Sequence, residues 1–122
     1  MLDRMSAYTK GLIGEDRAAE YLQAKGMILL SRRYRTPYGE IDLIMLDGDM
    51  ITFVEVKSRI GKDKGSGFAS ITKKKQKRIV QTASIYMAAH QIDKPSRFDA
   101  VEITPEAVVF IPNAFDASGI AW

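Results

Sequence analysis

The residues of this chain able to do chemistry are acids and amines. Glu40, Asp42 and Glu55 stand on either side of an Asp47-Gly48-Asp49 turn signal, and Lys57 lies two residues beyond Glu55. Glu15 lies upstream, and Lys73, Lys74, Lys75, Lys77 and Arg78 follow downstream. There is no cysteine, and His90 is the sole histidine. These absences remove disulfides, thiolate zinc sites, iron–sulfur clusters and cysteine nucleophiles together. A metal site assembled within one chain must then use carboxylate, carbonyl and water oxygens, which suit magnesium, manganese or calcium.

Side chains alternate along a strand. Glu40, Asp42, Ile44 and Leu46 are therefore expected on one face and Ile41, Leu43 and Met45 on the other. Ile51, Phe53, Glu55 and Lys57 should likewise share a face opposite Thr52, Val54 and Val56. A two-residue loop at Gly48-Asp49 sets Asp42 opposite Glu55, whereas a loop at Asp47-Gly48 sets Glu40 opposite Glu55 with Asp42 on the diagonal. The acids converge in either register, although a three-residue loop would break the parity. Like charges gathered in a half-buried place need proton uptake or a cation between them. The structural alternative is that they pair with Lys57 and neighbouring arginines at an exposed strand end.

Local signals outline the elements that must hold these groups. Leu12, Ala18, Ala19 and Leu22 recur at helical spacing from about Thr9 to Lys25, with Gly26 as the C-terminal cap. Strands are expected over Met27 to Tyr34, Glu40 to Leu46 and Met50 to about Ser58, the first two joined by Thr36-Pro37-Tyr38-Gly39. A glycine-rich loop covers Arg59 to Ser70. A second helix runs from Thr72 as N-cap to about His90 along a stripe of Ile79, Val80, Ala83, Tyr86 and Met87. Two more strands, Arg97 to Thr104 and Ala107 to Ile111, flank a turn at Pro105. Helix, three strands, helix, two strands favours a mixed central sheet with helices packed on it.

Each helix carries a charge on its inner stripe. Glu15 lies with Leu12, Ala18, Ala19 and Leu22, which turns a carboxylate toward the sheet; a place near the helix start would also suit it to the dipole. Lys75 and Gln76 lie inward of Ile79, where a long lysine stem could simply cover apolar surface. Lys73, Lys74 and Lys77 are better placed for solvent or phosphate.

With 122 residues the chain has room for one domain with a single core, here about 9–115. No apolar stretch reaches membrane-spanning length and the first residues do not resemble a secretory signal, so a soluble, cytoplasmic protein without a membrane partner is expected. The net charge of +3 is unevenly spread. Nine basic residues between Lys57 and Arg78 face Asp63 alone, so this segment carries +8 and the remainder −5. That asymmetry suits a polyanion such as nucleic acid, or simply a solvated lysine-rich helix start.

The run Gly39-Glu40-Ile41-Asp42-Leu43-Ile44 followed by Glu55-Val56-Lys57 resembles the split Asp…Glu-x-Lys pattern of the PD-(D/E)xK nuclease superfamily. The flanking text sharpens the match: Gly14-Glu15-Asp16-Arg17-Ala18-Ala19, Arg35-Thr36-Pro37-Tyr38, Phe53-Val54-Glu55-Val56-Lys57-Ser58-Arg59, Lys75-Gln76-Lys77-Arg78-Ile79, Arg97-Phe98-Asp99-Ala100-Val101 and Pro112-Asn113-Ala114-Phe115. Over about Gly11 to Phe115 the chain resembles the YraN family. This resemblance implies a restriction-endonuclease-like α/β fold, similar to archaeal Holliday-junction resolvases. It implies that Glu15, Asp42 and Glu55 bind magnesium or manganese, that the Val56 carbonyl adds a ligand, and that Lys57 orients or activates the attacking water. Asp42, Glu55 and Lys57 would be the catalytic residues, with Glu40 a ligand or an outer-shell acid. Ile41 stands where the superfamily's label has proline, a position without a chemical role.

The activity so implied is metal-dependent hydrolysis of phosphodiesters, in branched or damaged DNA. Lys73, Lys74, Lys75, Gln76, Lys77 and Arg78 would contact the nucleic acid, and two-fold symmetric junctions would suit a homodimer. A non-catalytic nucleic-acid-binding module serving repair or uptake is the alternative, and a protein-interaction module a third. A serine triad would need His90 and has no nucleophile-elbow pattern beside it. Glycosidase-like use of the acids lacks a sugar-stacking aromatic cluster.

Overall fold

A computed structural model describes residues 7–58 and 71–117. The elements are α1 (Ala7–Ala24), β1 (Ile28–Thr36), β2 (Gly39–Asp47), β3 (Met50–Ser58), α2 (Lys73–Ala89), β4 (Ser96–Ile103) and β5 (Val108–Phe115). The loop expected over Arg59 to Ser70 lies outside the described residues.

α1 ends at Gly26, whose φ of +97° is open to glycine and strained for other residues. Gly26 N–H donates to the Gln23 carbonyl and Met27 N–H to the Leu22 carbonyl, so the freed carbonyls of the last turn are satisfied as the chain reverses. Leu22 and Met27 then enter the same core cluster. α2 begins as expected, with the Thr72 hydroxyl accepting from Lys75 N–H, and is capped at His90, whose ring lies against Tyr86.

The five strands form one sheet in the order β1-β2-β3-β4-β5. β1, β2 and β3 are antiparallel neighbours; α2 carries the chain across to β4, parallel to β3, and β5 returns antiparallel. The β2–β3 loop is Gly48-Asp49, with Asp47 paired to Met50 and Gly48 at φ +61°, which suits a tight hairpin. α1 covers one sheet face through Ala18, Ala19, Leu22, Leu43, Met45, Val54 and Val101. α2 covers the other through Ile79, Val80, Ala83 and Tyr86 against Ile44, Ile51, Phe53 and Phe98. A sheet covered on both sides explains why its central strands are apolar on both faces. This helix, three-strand, helix, two-strand arrangement of a mixed sheet is consistent with a restriction-endonuclease-like fold. No helix among the described residues is long and apolar enough to cross a membrane.

Strict alternation along β2 fails at one point. Leu43 and Met45 pack with α1 as a pair, yet Ile41 packs with Ile44 on the α2 side. β1 shows a matching slip of face and not of register, its register shift lying between Leu29 and Ser31: Arg32 reaches Asp16 on α1, while Tyr34 meets Tyr86 on α2. The pairs Arg32–Leu43 and Tyr34–Ile41 keep one register across the slip, so Arg33 and Asp42 turn together. Arg33 has φ +52°, a conformation costing about 1–3 kcal/mol in a residue with a Cβ.

β5 also runs further than expected, through Pro112 to Phe115 instead of ending at Ile111. A bulge absorbs the irregularity: the register shifts between Phe98 and Ala100, and Asn113, at φ +56°, donates its N–H to Asp99 Oδ1 at 2.8 Å. Asp99 is fully buried and takes two bonds from Arg97 Nε, while Arg97 Nη2 reaches Asp47 at 2.9 Å. The buried carboxylate is thus paired and hydrogen-bonded, as burial of charge requires.

Candidate active site

The end of the β2–β3 hairpin away from its turn faces the start of α2, and a cleft of ≈ 430 Å³ lies between them. Its walls include Glu40, Asp42 and Glu55 from the strands and Lys74, Lys75 and Arg78 from the helix. The hairpin ladder ends at Leu43 opposite Val54, and the next residue on each strand, Asp42 and Glu55, lines the cleft. Instead of a further ladder bond there, Val56 N–H donates to Asp42 Oδ2 at 2.8 Å. The slip at Arg33 and Asp42 therefore aims the carboxylate at the neighbouring strand's backbone.

Glu55 is 8% exposed, and Lys75 Nζ lies 2.6 Å from its Oε1. Asp42 has a different resolution. Burial pushes its carboxyl up to about 8, Glu55 and Glu15 push the same way, and the Val56 N–H and Lys75 oppose them. A half-buried acid, desolvated and beside two others, therefore favours holding a proton near neutral pH unless more positive charge arrives.

Glu15 is 6% exposed on the inner face of α1, as its stripe predicts, while Asp16 and Glu20 are exposed. It does not line the cleft. Arg33 Nε bonds both its oxygens, at 3.0 and 3.1 Å, and Arg32 Nη2 stands 3.5 Å away. Beside it, Gly14 packs α1 against the Ser58 side chain at the end of β3. Lys57 is half-buried opposite Glu102 of β4 and is not in the cleft wall. The Val56 side chain packs on the α1 side of the sheet.

Among the basic residues, Lys73 and Lys77 are exposed outside the cleft. Gln76 turns inward: its Nε2 donates to the Ile71 carbonyl, and its buried Oε1 has no partner among the described residues. Glu40 takes Arg35 Nη2 at 2.6 Å. Helical spacing places Lys75 inward but does not identify Glu55 as its partner, nor Arg32 and Arg33 as the partners of Glu15. The available signal was the run Arg32-Arg33-Tyr34-Arg35 on a strand beside acids, which only a register can resolve into pairs.

Among the described residues, no three acidic or histidine side chains stand together at metal-holding distance. The donor chemistry nevertheless fits a hard cation. Asp42 and Glu55 offer carboxylate oxygens in a place that favours added positive charge, and the Lys75 ammonium already supplies some of it. Glu15 does not join them: its oxygens are held by Arg33 and Arg32.

Comparison with known proteins identifies a family and relatives. The model of a family described as "Uncharacterised protein family UPF0102" matches residues 14–103. A UPF0102 protein of Nitrosomonas europaea is 46% identical over 116 residues, covering 93% of this chain and 98% of its own length. One from Herminiimonas arsenicoxydans is 40% identical, covering 88% and 86%, and one from Shewanella amazonensis is 42% identical, covering 86% and 97%. With the family match spanning the later part of α1, all of α2 and the first four strands, and relatives aligned over most of its length, the chain belongs to the UPF0102, YraN-like family.

Proposed function

We propose that this protein is a metal-dependent nuclease that hydrolyses phosphodiester bonds in DNA. The observation that carries this reading is the shared cleft: Asp42 and Glu55, which favour added positive charge, stand beside Lys74, Lys75 and Arg78, which suit phosphates. Magnesium or manganese, when bound, supplies activation of water and neutralisation of charge on the phosphate oxygens. Asp42, steadied by the Val56 N–H, and Glu55 would hold the cation, and the Val56 carbonyl would serve as a neutral donor. Lys75 leaves Glu55 and, with Lys74 and Arg78, holds phosphates on either side. Lys57, on the same strand face as Glu55 but outside the cleft wall, would have to turn toward the cleft to orient the water. A water oxygen would form the new bond to phosphorus as the bridging P–O bond breaks, one proton of that water passing to solvent and the departing oxygen taking one from solvent.

Incubation with branched and nicked DNA plus manganese tests this reading. Cleavage is expected from the native protein and not from Asp42→Ala or Lys57→Ala. Equal activity in all three would reject the assignment. A second reading, binding without cleavage, is favoured by the ion pairs Lys75–Glu55 and Arg33–Glu15, which already neutralise two of the acids. Salt-sensitive DNA affinity without turnover would select it.

A further inference from the structure

A second cleft, of ≈ 630 Å³, opens beside the first and shares Gly39, Glu40 and Arg78 with it. Its own walls bring Arg35, Tyr38 and Gln81. Its size falls in the range of about 300–1,000 Å³ that small organic groups occupy. Tyr38 is the notable member: it sits on the two-residue turn between β1 and β2 and is 53% exposed.

The turn that carries this ring is anchored. Tyr38 N–H donates to Thr36 Oγ1 at 3.1 Å, and that hydroxyl lies 3.2 Å from Thr82 Oγ1 on α2. Gly39 lies so near α2 that a Cβ there would stand 3.4 Å from the Arg78 Cβ. Arg35 is held to Glu40 by two bonds, at 2.9 and 2.6 Å. An aromatic ring on a fixed turn, two guanidinium groups and the Gln81 amide thus border one groove. Aromatic rings and guanidinium planes stack on bases, and an amide offers both donor and acceptor to a base edge.

We propose that this second cleft takes an unpaired nucleotide, its base stacked on Tyr38, when the adjoining phosphate of the same strand lies in the acidic cleft. The inference rests on the nucleic-acid reading above and narrows it to a substrate class: strands with an unpaired or displaced base next to the bound phosphate. Arg78, on the wall common to both clefts, bridges the two by contacting the phosphate between them. A base inside an intact duplex already has both faces covered and gives Tyr38 nothing to stack on.

The test compares two DNAs of equal length and charge, one fully paired and one with a short unpaired stretch carrying 2-aminopurine, in chelator so that nothing is cleaved. The native protein should bind the second about tenfold more tightly, the order that one base–aromatic stack contributes, and quench its fluorescence. Tyr38→Ala should bring the ratio of affinities close to one and abolish the quenching, while Tyr38→Phe keeps both. An unchanged ratio in Tyr38→Ala, or no preference in the native protein, overturns this inference and leaves the DNA reading intact. No binding of either DNA at low salt overturns both.

Discussion

Lys75 reaches across from α2 to Glu55 on β3, with 2.6 Å between Nζ and Oε1, and thereby sets an ammonium beside the acid that lines one cleft with Asp42. Removing that ammonium leaves two neighbouring carboxylates without their nearest positive charge. Lys75→Met should therefore destabilise the protein at pH 8 by about 1–2 kcal/mol, a modest figure because the lysine is partly exposed. Adding Glu55→Gln should restore most of the loss. Urea unfolding in chelator measures both, and a double variant no more stable than Lys75→Met would contradict the pairing.

Asp42 gives the stability a pH dependence of definite sign. Its carboxyl is pushed up to about 8 in the fold by burial, then by Glu55, from an ordinary value of 3.8. Between those limits the folded chain holds a proton that the unfolded chain has released, so this contribution is complete below ~pH 4 and is lost as pH rises to about 8. Asp42→Asn keeps an acceptor for the Val56 N–H and removes the charge. It should gain about 1–3 kcal/mol over the native protein at pH 8–9 and far less at pH 4. Equal differences at the two pH values would show that the carboxyl is not raised.

The same proton competes with a divalent cation. Manganese affinity, followed by electron paramagnetic resonance, should rise as pH increases toward 8 and fall at least tenfold in Asp42→Asn, which loses a charged ligand. Lys75→Met should tighten binding by freeing Glu55. Affinity indifferent to both substitutions would move the cation elsewhere.

DNA affinity should fall steeply with salt. Lys74→Ala and Arg78→Ala, both in the cleft wall, are each expected to lower the log–log salt slope by about 1, the value of one phosphate contact. Lys25→Ala serves as the comparison, because Lys25 Nζ lies over the Tyr21 and Phe110 rings away from the cleft. An equal loss of slope in all three would point to diffuse attraction.

Arg97→Met tests the hidden brace of the far sheet edge. It strips Asp99, fully buried, of its charged partner, and should cost about 3–5 kcal/mol. Asp99→Asn in the same chain should recover part of that loss, measured by thermal unfolding. A cost below 1 kcal/mol would show that the Asn113 N–H alone satisfies the carboxylate.

What the amino-acid sequence settled by itself is what short-range physics governs. Helical spacing turned Glu15 inward, Thr72 capped α2, Gly26 closed α1, and the Asp47-Gly48-Asp49 signal allowed the two-residue loop that brings Asp42 and Glu55 to one cleft. Each of these depends on neighbours within a few positions, where periodicity and turn chemistry act. Only the tertiary structure decided that Arg33 and Asp42 slip together, that Lys75 answers Glu55, that Arg33 holds Glu15, and that a bulge against Asp99 carries β5 past Pro112. Those outcomes join separate strands and helices. A charged side chain can find several partners of similar energy, and register and burial select among them only once the sheet has formed.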